Sequence, residues 1–128
     1  MHHHDDHADL IGNFYKEQKE IFDSSNQGMY AFLDDDNRIC NAKFAKMLGY
    51  TSPKEWSDVD VDGSFPDAFI AEKSQQALVE AYQNAMENGV GSTLLVSWKK
   101  KSGGSVETTV ILVPIIYQGH LIALHYIS

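Results

Sequence analysis

The residues best suited to chemistry in this chain are few and scattered. The hexapeptide DVDVDG, residues 58–63, sets Asp58, Asp60, Asp62 and Gly63 at the spacing that opens a calcium-binding loop. Such a loop closes with a bidentate glutamate at its twelfth position, and that position holds Phe69. The stretch therefore reads as an acidic, solvated loop, and DDD at 34–36 as a hairpin turn. His3 and His7 stand four apart, the spacing of a transition-metal pair on a helix face. A disordered tail or a remnant of cloning is the simpler reading. His120 and His125 are five apart, and on one strand an odd separation sends them to opposite faces. No metal site is expected. Cys40 is the only cysteine, so no intrachain disulfide forms, and it reads as a small buried hydrophobe. No nucleophile motif, no glycine-rich phosphate loop and no histidine between His7 and His120 provides catalytic machinery. No catalytic residue is assigned, and the chain is not expected to be an enzyme. The enzyme alternative, a small cone-shaped isomerase fold, needs a buried carboxylate. Glu107, the one acidic residue in the last three strands, falls near a hairpin end.

The totals narrow the classes further. A chain of 128 residues, 43% hydrophobic and 22% charged, fits one globular domain with a real core. The formal net charge is −8, and the only basic run is KKK at 99–101, beside a Ser-Gly-Gly turn. Those lysines read as solvated hairpin residues, so neither nucleic acid nor membrane is an expected partner. No apolar run reaches the roughly 18 residues of a membrane span. The opening MHHHDDHADL has no apolar core of a signal peptide. With a single cysteine, a reducing cytoplasmic setting is expected.

Residues 1–9 read as a flexible His- and Asp-rich tail, and 10–27 as an N-terminal amphipathic helix with its exit turn. Leu10, Ile11, Phe14, Tyr15, Ile21 and Phe22 form its apolar face. Ile11, Phe14, Ile21 and Ser25 approximate a heptad seam. MYAFL (29–33) reads as a strand, DDDN as a turn and RIC (38–40) as a short return strand. Ala42, Phe44, Ala45, Met47 and Leu48 make a short helical stripe that stops at Gly49, and Ser52-Pro53 starts another helix. After an Asp-rich loop, Ile70, Ser74, Ala77, Leu78, Ala81, Tyr82 and Ala85 keep a helical period up to a stop at Gly89. Strands at 92–99, 106–117 and 120–127 follow, hairpin-linked and so antiparallel. The middle one is apolar on both faces from Val110 to Ile116 and requires cover on both, the long helix on one and the N-terminal helix on the other.

This order and these motifs resemble the PAS family of sensory domains over residues 20–128. GMYAFLDDDNRI looks like the first hairpin of that family. Asn41 followed by FAKMLGYTSPKEW resembles its Asn–helix–Leu-Gly-Tyr–Ser-x-x-Glu signature, SWKKKSGGSV its Lys-Asp-Gly-Ser hairpin, and VPI with the closing HYIS its last two strands. Tyr126 stands where the family's terminal Asp-Ile-Thr motif has its Asp. The resemblance implies an α+β fold: a five-stranded antiparallel sheet with short helices and one long helix on one face, the core spanning 28–128. It implies a sensory module that binds a small ligand or a partner protein and transmits its state through the sheet surface or a dimer interface. The alternative is a pure dimerisation or docking module with a filled core. The ligand pocket is expected among Phe32, Phe44, Met47, Leu48, Trp56, Phe69 and Tyr82, the alternative being that these are plain core residues. Haem-binding relatives carry a histidine on the long helix, which is absent, so haem is not expected. Photoactive flavin relatives carry a cysteine after the arch, whereas Cys40 precedes Asn41. No cofactor is assigned, and a non-covalent ligand or flavin stays open. A homodimer is expected through the N-terminal helix, with Ile11, Phe14, Tyr15, Ile21 and Phe22 at the interface and Phe14 and Ile21 near its centre. The alternative is a monomer whose helix caps its own sheet.

Overall fold

Helix α1 (His3–Ser24) begins well before Leu10, taking in most of the stretch read as a flexible tail. The computed structural model describes residues 3–128, with side chains from His7 onward. The His3 side chain, half of the metal pair read from the sequence, lies outside the described residues. The chain continues through β1 (Gly28–Asp34), β2 (Asn37–Cys40), α2 (Ala42–Met47), α3 (Pro53–Ser57), α4 (Phe65–Phe69), α5 (Glu72–Asn88), β3 (Ser92–Lys99), β4 (Ser105–Tyr117) and β5 (His120–Ile127). The five strands form one antiparallel sheet in the order β2-β1-β5-β4-β3. Among the described residues no helix is long and apolar enough to cross a membrane.

The short helices are set by their caps. Asn41, Ser52 and Ser64 each accept a hydrogen bond from the backbone N–H three residues on, satisfying a donor at the first turn of α2, α3 and α4. Pro53 and Pro66 stand where a missing N–H costs nothing. Helix α4 is absent from the sequence reading. Ser64-Phe65-Pro66-Asp67 carries the same start signal as Ser52-Pro53, inside a stretch whose aspartates read as loop. Ile70 lies before α5 and bridges Trp98 of β3, so the long helix starts at Glu72. Gly89 ends it in the left-handed region, at φ 67°, where its N–H bonds the Ala85 carbonyl.

Alternation along the strands sorts two cores. On the inner face Tyr30, Val110, Leu112, Ala123 and Ile127 pack against the helices α2 to α5. On the outer face Met29, Ala31, Leu33, Ile122 and Leu124 lie beneath Leu10, Ile11, Phe14 and Phe22 of α1. The expectation that β4 is covered on both faces holds at one end. Ile115 and Tyr117 pack with the α1 cluster, and the Tyr117 hydroxyl donates to the Glu17 carboxylate. Farther along, Ile111 stays 41% exposed and Leu95 of β3 77% exposed.

This packing corrects the placement of Phe14 at the centre of an interface between copies. Ile11, Phe14 and Phe22 are buried in the chain's own helix–sheet contact, Tyr15 is half-buried, and Ile21 alone of the five is exposed, at 56%. Burial within one chain avoids the entropic cost of association. Phe14→Ala is expected to lower stability by about 3–5 kcal/mol, while Ile21→Glu changes it by less than about 0.5 kcal/mol. Urea unfolding followed by tryptophan fluorescence reads both.

Candidate ligand cavity

The inner face carries a cluster of aromatic rings in contact, most of them edge to face or tilted. Phe44 lies 5.2 Å from Trp56, 5.0 Å from Trp98 and 5.1 Å from Tyr30, centroid to centroid, and Trp56 lies 5.3 Å from Phe69. Phe44, Leu48, Trp56 and Phe69 are fully buried in this cluster, and Met47 packs on its edge. These five, read from the sequence as pocket residues, fill space rather than line it. A helical stripe of large apolar side chains closes on itself when its rings find edge-to-face partners.

Arg38 braces the same cluster and went unnoticed in the sequence. Its Nη1 donates to the Asp35 carbonyl at 2.6 Å and its Nη2 to the Trp56 and Val59 carbonyls, each at 2.9 Å. Its guanidinium lies 5.0 Å from the Trp56 ring centroid and 5.1 Å from that of Phe69. An arginine beside a turn ordinarily reads as a solvated charge, so composition gives no sign of this role.

The open space lies beside this cluster, as a cavity of about 140 Å³ between β1, β5, α4 and α5. Of the seven residues read as pocket candidates, Phe32 and Tyr82 line it. The others lining it are Tyr30, Asp35, Phe65, Pro66, Leu78, Val79 and His125, none of them read as pocket residues in the sequence. Tyr30 and Phe32 reach it because residues two apart on β1 share a face. Leu78 and Tyr82 reach it because residues four apart on α5 do. His125 is the cross-strand partner of Tyr30, and their rings stack at 3.8 Å with planes 9° apart.

The polar groups here differ in how they are satisfied. His125 Nδ1 bonds the Ala123 carbonyl at 3.1 Å, and burial pushes its pKa down to about 3, so the ring is neutral. Burial raises the Tyr30 pKa well above its usual value. Burial also raises the Asp35 carboxyl, with the charges of Asp36 and Asp34 adding to it against a hydrogen bond from the Phe65 backbone. Burial acts to raise Asp34 too, but hydrogen bonds from His7, Asn37 and the backbone outweigh it and hold its pKa low. A second, wider concavity opens from the mouth. It is lined by His7, Asp34, Asp36 and Asn37 and shares Phe32, Asp35 and Tyr82 with the cavity.

The other candidate groups are occupied elsewhere. Asp58 pairs with Lys54 at 2.5 Å, and Asp60 accepts from the Asp62 backbone N–H at 2.9 Å. Among the described residues no three His, Cys, Asp or Glu are grouped so as to hold a metal ion. His120 is exposed and His125 buried, on opposite faces of β5. The Cys40 thiol is buried, and burial pushes its pKa up to about 12, which leaves it inert.

The architecture is the PAS fold. The chain resembles a PAS domain from Colwellia psychrerythraea with a TM-score of 0.67 at 17% identity, covering 90% of this chain and 95% of that one. It resembles the PAS domain of the fruit-fly ELK potassium channel with a TM-score of 0.63 at 20% identity, covering 90% and 95%. It also resembles the LOV protein of Rhodobacter sphaeroides with a TM-score of 0.67 at 13% identity, covering 91% and 66%. At these identities the likeness is one of fold. No family model and no curated protein matches the chain.

The neutral His125 links stability to pH. It titrates near 3 in the folded chain and near 6.5 without its surroundings, so below 6.5 the unfolded state binds a proton that the folded state refuses. Its contribution is fully present above 6.5 and is lost as pH falls toward 3, by up to about 1.4 kcal/mol per pH unit. His125→Phe keeps the stacked ring and removes the titration. Urea unfolding across this range is expected to show a shallower loss of stability in the variant than in the wild type.

Proposed function

We propose that this chain is a PAS-type sensory module that takes up a small, largely apolar molecule between β1, α4 and α5. Its state is then read from the other side of the sheet. The observation that carries this reading is the cavity itself, lined mostly by aromatic and apolar side chains from β1, β5, α4 and α5. The volume of about 140 Å³ compares with the cavity of about 150 Å³ that accepts benzene in an engineered protein core. It suits a one-ring ligand and falls short of the three fused rings of a flavin. The site offers recognition rather than catalysis, since His125 is neutral and engaged and no nucleophile stands beside it. Strand β1 supports a route for the signal. Tyr30 and Phe32 touch the cavity, while Met29, Ala31 and Leu33 between and beside them hold α1. The buried, inert Cys40 fits a reducing, cytoplasmic setting.

The test is thermal unfolding against a panel of one-ring compounds, with Leu78→Trp as the filled-cavity control. A ligand at about 100 times its Kd adds about 2.7 kcal/mol to the folded state. Compounds that raise the Tm of the wild type and leave Leu78→Trp unmoved support the reading. A panel that moves neither contradicts it.

The exposed apolar strip on the outer face favours an interface as the output. Ile111 of β4 and Leu95 of β3 are both exposed and lie diagonally across the β3–β4 pairing, and Thr93 and Tyr126 flank Ile111 across the sheet. A second copy is the partner proposed, since a patch on two adjacent strands can pair with itself about a two-fold axis. Light scattering at high micromolar concentration is expected to give a dimer for the wild type and a monomer for the double variant Leu95→Glu, Ile111→Glu. A monomeric wild type removes this part of the proposal.

A further inference from the structure

We infer that the cavity selects organic cations: a protonated amine on a single apolar ring, the ring inside and the ammonium at the mouth against Asp35, Phe32 and Tyr82. This rests on reading the cavity as a ligand site and adds the chemistry of what enters it. Among the lining residues Asp35 alone carries a charge, because His125 is neutral. Phe32, Asp35 and Tyr82 border both the cavity and the outer concavity, so they form its threshold. The Phe32 and Tyr82 rings meet edge to face at 5.2 Å, and Phe32 meets Phe65 the same way at 5.1 Å. Ring faces attract cations, most strongly where water is thinned.

The charges around the threshold point the same way. Asp34 and Asp36 border the outer concavity beside Asp35. Asp34 is engaged by His7 at 2.6 Å and by Asn37, which leaves Asp35 and Asp36 facing the space. The cation nearest in sequence, Arg38, acts on Asp35 from outside both spaces, held by three backbone carbonyls and lying against Trp56 and Phe69. The acidic crowding is felt by its neighbours: burial raises the Tyr82 hydroxyl pKa, and Asp34 and Asp35 raise it further. A carboxylate or phosphate ligand would add a like charge to this cluster. A neutral ligand would fill the cavity and leave the threshold unused. An ammonium offsets the crowded carboxylates and faces two aromatic rings.

Three probes of one shape separate these cases: benzylammonium, benzyl alcohol and benzoate, titrated calorimetrically at low salt and near-neutral pH. The wild type is expected to bind benzylammonium about tenfold tighter than benzyl alcohol, with benzoate weakest. Added salt should narrow the gap. Asp35→Asn keeps an oxygen to accept the Phe65 N–H and removes the charge. It is expected to bring benzylammonium down to the level of benzyl alcohol and to leave the alcohol unchanged. Tyr82→Leu, with the carboxylate intact, is expected to weaken the ammonium several-fold more than the alcohol, and it serves if Asp35→Asn does not fold. Equal binding of ammonium and alcohol by the wild type overturns the cation selectivity while the ligand site stands. Binding of none of the three overturns the ligand site itself.

Discussion

The side-chain amide of Asn41 is the joint on which the architecture turns. Its Oδ1 accepts from the Met29 and Phe44 backbone N–H groups, each at 3.0 Å. Its Nδ2 donates to the Phe22 carbonyl at 3.1 Å and the Gln27 carbonyl at 3.0 Å. Its backbone N–H reaches the Met29 carbonyl at 2.9 Å. The buried amide thus uses both donors and both acceptor positions. It ties the end of α1, the following loop, the start of β1 and the cap of α2 into one knot. In a low-dielectric interior a fully satisfied group of this kind rigidifies and specifies, and a half-satisfied one is costly. No aliphatic residue supplies the same set, and aspartate lacks the two donors.

What Asn41 fixes is the register of β1, and the register decides which residues the two cores receive. A slip of one residue would move Tyr30 and Phe32 to the α1 side and Met29 and Ala31 to the cavity. Held in place, Tyr30 stacks on His125 and stands within reach of Phe44, Trp56, Phe65 and Trp98. Its ring therefore belongs to the packed aromatic cluster and to the cavity wall at once. Gly28, at the start of the strand, is fitted to the same contact. A Cβ there would lie 3.3 Å from the Phe44 Cβ and 3.5 Å from that of Ile127. The sheet is thin and alternates, so a displacement on one side has its counterpart on the other.

Much of the scaffold was legible because its signals are local. Gly89 as a helix stop, Ser52-Pro53 as a helix start and the strands at 92–99 and 120–127 follow from single residues or short periods. The early start of α1 was hidden because a His- and Asp-rich stretch has no apolar period, and α4 because its cap sits among turn-forming aspartates. The cavity was legible only in part. A stripe of Phe44, Met47, Leu48, Trp56 and Phe69 has the same pattern whether it fills a core or lines a pocket. Which it does depends on rings contributed by β1 and β3, far along the chain. Phe32 and Tyr82 are the two candidates that border the cavity, but Tyr30 beside them and its partner His125 are joined by strand pairing, not by spacing. Asp35 has the composition of a turn and gains its significance from Phe32 and Tyr82 beside it.

The central claim is that a cavity on one face of the sheet is coupled through β1 and β5 to the helix on the other. Backbone amide NMR during titration with benzylammonium tests it most directly. The account predicts shifts at Tyr30, Phe32, Asp35, Val79, Tyr82 and His125, accompanied by shifts at Ala31, Leu124 and Phe14 across the sheet. Shifts confined to exposed residues away from β1, or shifts at the cavity that leave α1 unmoved, would contradict it.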